Sequence, residues 1–209
     1  MIASQASPVF LLIAAVGGYL IGSIPFGVIA TRLAGVGDVR AIGSGNIGAT
    51  NVLRTGRRDL ALITLLGDGL KGTVAVLVAA AMLGPTAAVI AAGAAFIGHL
   101  YPVWLGFKGG KGVATFYGIL FGIAWPVGLA AGAVWIAMAA IFRLSSLAAL
   151  TSAALTPVLF LVLHQSSLER LWLSVGMAVL IFVRHAANIR RLVKGEEPRI
   201  GGDKRPSAA

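Results

Sequence analysis

The sequence predicts an all-α polytopic membrane protein, and three observations predict it. Of its 209 residues 58% are hydrophobic, its mean hydropathy is +0.92, and only 11% are charged, against about 25% in a soluble domain. A water-soluble fold of this length has no interior large enough to hide so much apolar surface, so a bilayer is the solvent that fits. The net charge of +10 sits between and beside apolar runs. That placement marks membrane orientation and anionic head groups rather than nucleic acid. With no cysteine in the chain, disulfides, thiolate metal sites and an enzyme-bound thioester are excluded.

Seven apolar stretches follow, at about 8–33, 60–83, 85–106, 113–125, 127–142, 147–163 and 171–187. Residues 1–7 carry no positive charge ahead of the first run, so that run is read as a retained span rather than a cleaved leader. The fourth and fifth stretches are short for a 20-residue span, and Trp125-Pro126 between them marks a hairpin turn. Counting them as two passes puts Arg32, Arg40, Arg54, Arg57, Arg58, Lys108, Lys111, Arg143, Arg184 and the basic segment from Arg190 to Arg205 on one side, leaving Arg170 alone on the other. The positive-inside rule then sets the N-terminus outside and the C-terminus in the cytoplasm. Trp125 and Trp172 fall near the outer interface and Trp104 near the inner one. Gly18/Gly22, Gly118/Gly122 and Gly128/Gly132 have the small-xxx-small spacing of close helix packing. Residues 1–195 read as one membrane domain, and 196–209, with Pro198, Gly201, Gly202 and Pro206, as a flexible basic tail.

Polar residues gather in three places on the cytoplasmic side. The loop Gly43-Ser44-Gly45-Asn46-Ile47-Gly48-Ala49-Thr50-Asn51, followed by Arg54, contains a formal G-x-G-x-x-G, with Asp68 twenty residues beyond. A dinucleotide fingerprint needs a strand before it and a βαβ unit around it, which a loop between two spans does not supply. Either the glycines turn backbone N–H groups toward an anion, helped by Ser44, Asn46, Thr50 and Asn51, or the segment is a polar connector. The segment Phe107-Lys108-Gly109-Gly110-Lys111-Gly112-Val113-Ala114-Thr115 is no P-loop, because Gly112 stands where a magnesium-binding Ser or Thr belongs. Two lysines among three glycines at a helix start can cradle a phosphate, and Lys111 can neutralise a developing oxyanion; the plainer reading is a basic turn. In Arg184-His185-Ala186-Ala187-Asn188-Ile189-Arg190-Arg191, His185 and Asn188 share a helical face and either bind a polyol phosphate or leave His185 as a structural residue and helix-dipole partner. Asp68 and Lys71, one turn apart inside a span, form an ion pair that is either structural or site-lining, since an unpaired charge there is costly.

These segments together resemble the acyl-phosphate-dependent glycerol-3-phosphate acyltransferase family of bacterial membranes. The matching residues are Gly22-Ser23-Ile24-Pro25-Phe26-Gly27, the Gly43–Asn51 loop with Arg54, Leu70-Lys71-Gly72, Gly98-His99-Leu100-Tyr101-Pro102, Phe107–Thr115, Ser146-Leu147, and Arg184-His185 with Asn188-Ile189. They run from the first span to the last. The resemblance implies seven helices, a site near the cytoplasmic surface of the inner membrane, and conversion of acyl phosphate and glycerol 3-phosphate to lysophosphatidic acid and phosphate. By position it implies Ser44, Arg54, Lys111, His185 and Asn188 for glycerol phosphate. For acyl phosphate it implies Gly109, Gly110, Lys111 and Gly112, with Thr50, Asn51 and Ser146 lining the pocket. Catalysis falls to Lys111, Arg54, Ser44 and His185; Asn46, Asp68, Lys71 and Lys108 are further lining candidates. No metal or cofactor is expected. Membrane lipid is an expected partner, and the soluble enzyme that makes acyl phosphate a candidate one. The other large class of glycerol-phosphate acyltransferases uses a His followed five residues on by Asp. Here His99, His164 and His185 are followed by Trp104, Glu169 and Arg190, so that dyad is absent. The alternatives are a transporter of an organic phosphate or other anion, which calls for inverted repeats and broken mid-membrane helices, and a non-catalytic scaffold.

Overall fold

A computed structural model of the protein describes residues 7–201; the start of the chain and residues 202–209, the end of the basic tail, lie outside it. The described residues are helical, without a strand. Helix α1 (Pro8–Gly22) and α2 (Phe26–Leu33) divide the first apolar stretch at Ser23-Ile24-Pro25, where Pro25 withholds an N–H and disfavours helix in the residue before it. A loop carries the short α3 (Ala49–Val52). Then come α4 (Arg58–Leu83), α5 (Pro85–Leu100), α6 (Val113–Phe142), α7 (Ser145–Val162), α8 (Leu168–Arg184) and α9 (Ala186–Val193). Five helical segments, the α1–α2 run, α4, α5 with its extension to Leu105, α6 and α7, are long and apolar enough to cross a membrane. The α8–α9 pair, bent by 65°, makes a sixth.

The expected hairpin falls within α6. Ala124 leaves helical geometry (φ −156°, ψ 82°) two residues before Pro126, where the proline removes a ladder hydrogen bond. Beyond it the chain folds back: a Cβ at Gly128 would lie 3.2 Å from the backbone nitrogen of Phe121. Ser152 Oγ joins the two limbs, accepting from Tyr117 Oη at 2.7 Å and donating to the Ala131 carbonyl at 2.8 Å. On a straight helix, residues fourteen apart are separated by about 21 Å.

Small residues bring the helices together. A Cβ at Gly22 would stand 2.0 Å from the Ala95 carbonyl of α5, and one at Gly118 would stand 1.8 Å from the Gly69 carbonyl of α4. The glycine pairs 18/22 and 118/122 therefore serve packing. Gly132 has no neighbour within 4 Å and does not. Phe96, Phe116, Ile119, Leu120, Phe160 and Ile181 fill the interior, while Leu62, Leu65, Leu66, Leu77 and Val78 of α4 are half exposed, a surface suited to lipid rather than water.

A convergent anion-ready site at one end of the bundle

The 38–57 loop is organised by two side chains. The Asp38 carboxylate accepts from the backbone and guanidinium of Arg40 and from Arg32. These bonds, that to the Arg40 side chain foremost, hold it well below the usual carboxylate range. Asn51, 2% exposed, donates to the carbonyls of Val39 (2.9 Å), Ile42 (2.9 Å) and Asn46 (2.8 Å). Its Oδ1 accepts from Ser44 N (3.0 Å), Ser44 Oγ (3.3 Å) and Arg54 Nη1 (3.2 Å). Gly43 passes beneath with φ +55°, and a Cβ there would stand 2.6 Å from Asn51 Oδ1 and 2.8 Å from Arg54 Cδ. The loop thus presents Ser44 and Arg54 side by side, while Asn51 is spent on the fastening.

The 107–112 turn is held from two directions. Gly109 N donates to Leu100 O and Gly110 N to His99 O, both at 3.1 Å. From α8, Arg184 donates to Gly109 O (2.8 Å) and Gly110 O (3.0 Å), with its guanidinium 5.4 Å from the Tyr101 ring centre. The amides of Gly109 and Gly110 are therefore not free for a phosphate, against the expectation that both glycines cradle one through their backbone. The N–H groups of Lys111 and Gly112 have no acceptor among the described residues.

Lys111 reaches across to Asn188 of α9, donating to its Oδ1. Asn188 Nδ2 donates to Glu197 Oε1 (2.6 Å), and Arg191 Nε to Glu197 Oε2 (2.7 Å). Burial pushes the Lys111 ammonium down to about 8; Glu197 works against this, and the charges of Arg191, Arg54 and Arg184 work with it. The three distant segments therefore share one electrostatic environment. Burial opposes the charge on Glu197, but hydrogen bonds from Asn188 and Arg191 keep its acidity above that of a free glutamate. Ser146 Oγ lies near this carboxylate, buried and without a partner at hydrogen-bonding geometry. His185 is 3% exposed, with Nδ1 2.8 Å from the Ile181 carbonyl; a neutral ring donating there has Nε2 left as acceptor.

The structure thus brings together Lys111, Asn188, Ser44, Arg54, Ser146, His185 and Gly112. Thr50 and Lys108 are exposed and make no side-chain hydrogen bond among the described residues, and Asn46 caps the Gly48 amide through Oδ1 (2.9 Å). Asp68 and Lys71 form the expected pair at 2.7 Å, buried at 1% and 4% exposed. Glu197, Arg191, Arg184 and His99 were not singled out as site residues by local motif. Glu197 belongs to the segment read as flexible tail, whose described part is tied back there and at Ile200, where Arg143 donates to the carbonyl (2.9 Å) and accepts from the amide (2.7 Å). A cleft of about 430 Å³ lined by Pro85, Thr86, Ser167 and Arg170 contains none of these residues.

Fold and candidate site together describe a multi-pass membrane protein in which cationic and amide side chains from three distant segments are gathered together. The glycerol-3-phosphate acyltransferase family matches residues 12–195, and the chain belongs to it. A glycerol-3-phosphate acyltransferase of Caulobacter vibrioides is 65% identical over 194 residues, covering 92% of this chain and 88% of that one. One of Maricaulis maris is 57% identical over 205 residues, covering 98% and 94%. Crystal structures of PlsY (YgiH), an integral membrane glycerol 3-phosphate acyltransferase, are similar in two forms. The glycerol 3-phosphate form has a TM-score of 0.86 at 37% identity, covering 91% of this chain and 96% of that one. The lysophosphatidic acid form has a TM-score of 0.84 at 35% identity, covering 90% and 94%. The transporter and scaffold alternatives give way to an acyltransferase.

Proposed function

We propose that this acyltransferase moves a fatty acyl group from acyl phosphate to the sn-1 hydroxyl of glycerol 3-phosphate, giving lysophosphatidic acid and inorganic phosphate. The observation that carries the reading is the Lys111–Asn188 contact, with Arg54 close enough to act on the Lys111 charge and Ser44 held beside Arg54: cations and amides from distant segments gathered together. An acyl phosphate is already an activated anhydride. The enzyme therefore needs to place two phosphate-bearing molecules together and neutralise them, and placement alone can supply about 7–11 kcal/mol. Ser44, Arg54, Lys111, His185 and Asn188 hold glycerol phosphate. The free amides of Lys111 and Gly112, with Ser146, receive the acyl-phosphate head. The hydroxyl oxygen attacks the carbonyl carbon, the carbon–oxygen bond to phosphate breaks, and the hydroxyl proton passes to a substrate phosphate or to His185 Nε2. The reversal within α6 supports seven passes with the N-terminus outside. The basic loops, read by the positive-inside rule, favour a site on the cytoplasmic side of a bacterial inner membrane. Purified protein in detergent, given glycerol 3-phosphate, should release phosphate from palmitoyl phosphate and form no product from palmitoyl-CoA. The opposite donor preference would end this reading.

The lowered acidity threshold of Lys111 gives a pH signature. As pH rises through about 8 the free enzyme loses the Lys111 charge, so kcat/KM should fall, approaching tenfold per pH unit. Lys111→Arg, charged throughout, should move that alkaline limb upward whatever its absolute rate. A profile from pH 6 to 10 with the limb unmoved in the arginine variant would assign it to another group.

A further inference from the structure

Asp68, Lys71 and His99 are among the most buried polar residues of the bundle, and the proposed chemistry uses none of them. Lys71 Nζ lies 2.7 Å from Asp68 Oδ1 and donates to the Ile24 carbonyl (2.8 Å), which the break between α1 and α2 exposes. Thr115 Oγ1 at the start of α6 donates to the Asp68 carbonyl (2.8 Å). His99 Nδ1 stands 3.6 Å from the same Asp68 oxygen and makes no hydrogen bond. The other side of the imidazole meets Gly110, where a Cβ would lie 2.2 Å from His99 Nε2; Gly109 meets the main chain of His99 instead, a Cβ there lying 2.2 Å from its carbonyl oxygen. With Arg184 gripping both glycine carbonyls from α8, Gly110 is held between the His99 ring and a guanidinium, and Gly109 between the His99 main chain and the same guanidinium. A buried ion pair is a weak source of stability, because desolvation offsets much of its attraction, and its best-attested use is to fix one arrangement over others.

We infer that His99, oriented by the Asp68–Lys71 pair, is a positioning residue that sets the Gly109-Gly110 turn and so aims Lys111 at Asn188 and at the substrate phosphate. The inference rests on the reading that Lys111 contacts that phosphate. Substituting His99 loosens the turn and lets the ammonium wander, and this loss is contained within the loss of Lys111 itself. Gly110→Ala displaces the imidazole from the other side and has the same consequence without touching the cluster.

The test is a double-mutant cycle read by glycerol 3-phosphate binding in isothermal titration calorimetry, which needs no turnover. His99→Ala and Lys111→Ala should each weaken binding at least about tenfold, the effect of losing a charge-assisted hydrogen bond. The double variant should be no weaker than Lys111→Ala alone, because the two act as one unit. His99→Gln, whose amide nitrogen can occupy the place of Nε2, should recover most of the loss. Multiplication of the two effects to about a hundredfold, or unchanged binding in a folded His99→Ala protein, would overturn the inference. Should thermal melting show that His99→Ala does not fold, Gly110→Ala carries the same cycle with the same two outcomes. Wild-type protein that binds glycerol 3-phosphate but ignores acyl phosphate overturns the proposed donor and leaves this coupling readable; wild-type protein that binds neither overturns both.

Discussion

Lys111→Ala is expected to lower kcat for acyl transfer about 10²–10³-fold, the usual effect of deleting one group that stabilises developing charge, with little change in melting temperature. Arg184 is committed to the Gly109 and Gly110 carbonyls and Arg191 to Glu197, and Arg54 already has its own place in the proposed site, so none of these three takes over the position of the ammonium. The stability effect stays small because, among the described residues, the partner stranded is Asn188 Oδ1 alone, and Asn188 Nδ2 keeps its bond to Glu197. Steady-state turnover and a melting curve on the same detergent preparation check both halves. Retention of more than a tenth of wild-type kcat would remove Lys111 from the centre of the mechanism.

Asn51→Ala should be nearly as damaging by another route. One side chain ties Val39, Ile42, Ser44, Asn46 and Arg54 together through six hydrogen bonds. At a net contribution of about 1 kcal/mol for an ordinary bond, its loss forfeits several kcal/mol of loop order. Ser44 and Arg54 then no longer share one placement, and activity should fall at least about 10²-fold. Because the bundle does not depend on these bonds, cooperative melting should persist, whereas trypsin should cut at Arg40, Arg54 or Arg57 much faster. Asn51→Asp gives no rescue, since it turns oxygen toward three carbonyl oxygens. Unchanged trypsin resistance in a catalytically dead Asn51→Ala protein would mean that the residue touches substrate instead.

Hydropathy makes the all-helical membrane architecture legible, and the two glycine-rich motifs point to segments that meet at the candidate site. Apolar length reports spans directly, and Trp125-Pro126 marked the reversal in α6 to within two residues of Ala124. The break at Ser23–Pro25 was hidden within an unbroken apolar run, and its use, a carbonyl offered to Lys71, depends on a residue 47 positions later. The same limit explains Gly109 and Gly110. Composition shows that flexible amides are present, but whether they are free is decided by His99, Leu100 and Arg184. Asn51 read as a ligand because it sits in a polar motif, yet a buried amide with every bond satisfied at home has nothing left to offer. Glu197 was concealed by its neighbours: an acid in a basic, Pro- and Gly-bearing segment reads as solvated until Asn188 and Arg191 are seen to enclose it.

The two limbs of α6 are unequal, which bears on where the proposed site would sit. From the bend the first limb runs back 11 residues to Val113 and the second 18 residues to Phe142, about 17 Å and about 27 Å at 1.5 Å per residue. If the two limbs run antiparallel, the turn that holds Lys111 stops about 10 Å short of the one that holds Arg143. Under the proposed function, that shortfall would let a lipid-anchored donor meet Lys111 with its carbonyl while its acyl chain stays out of water.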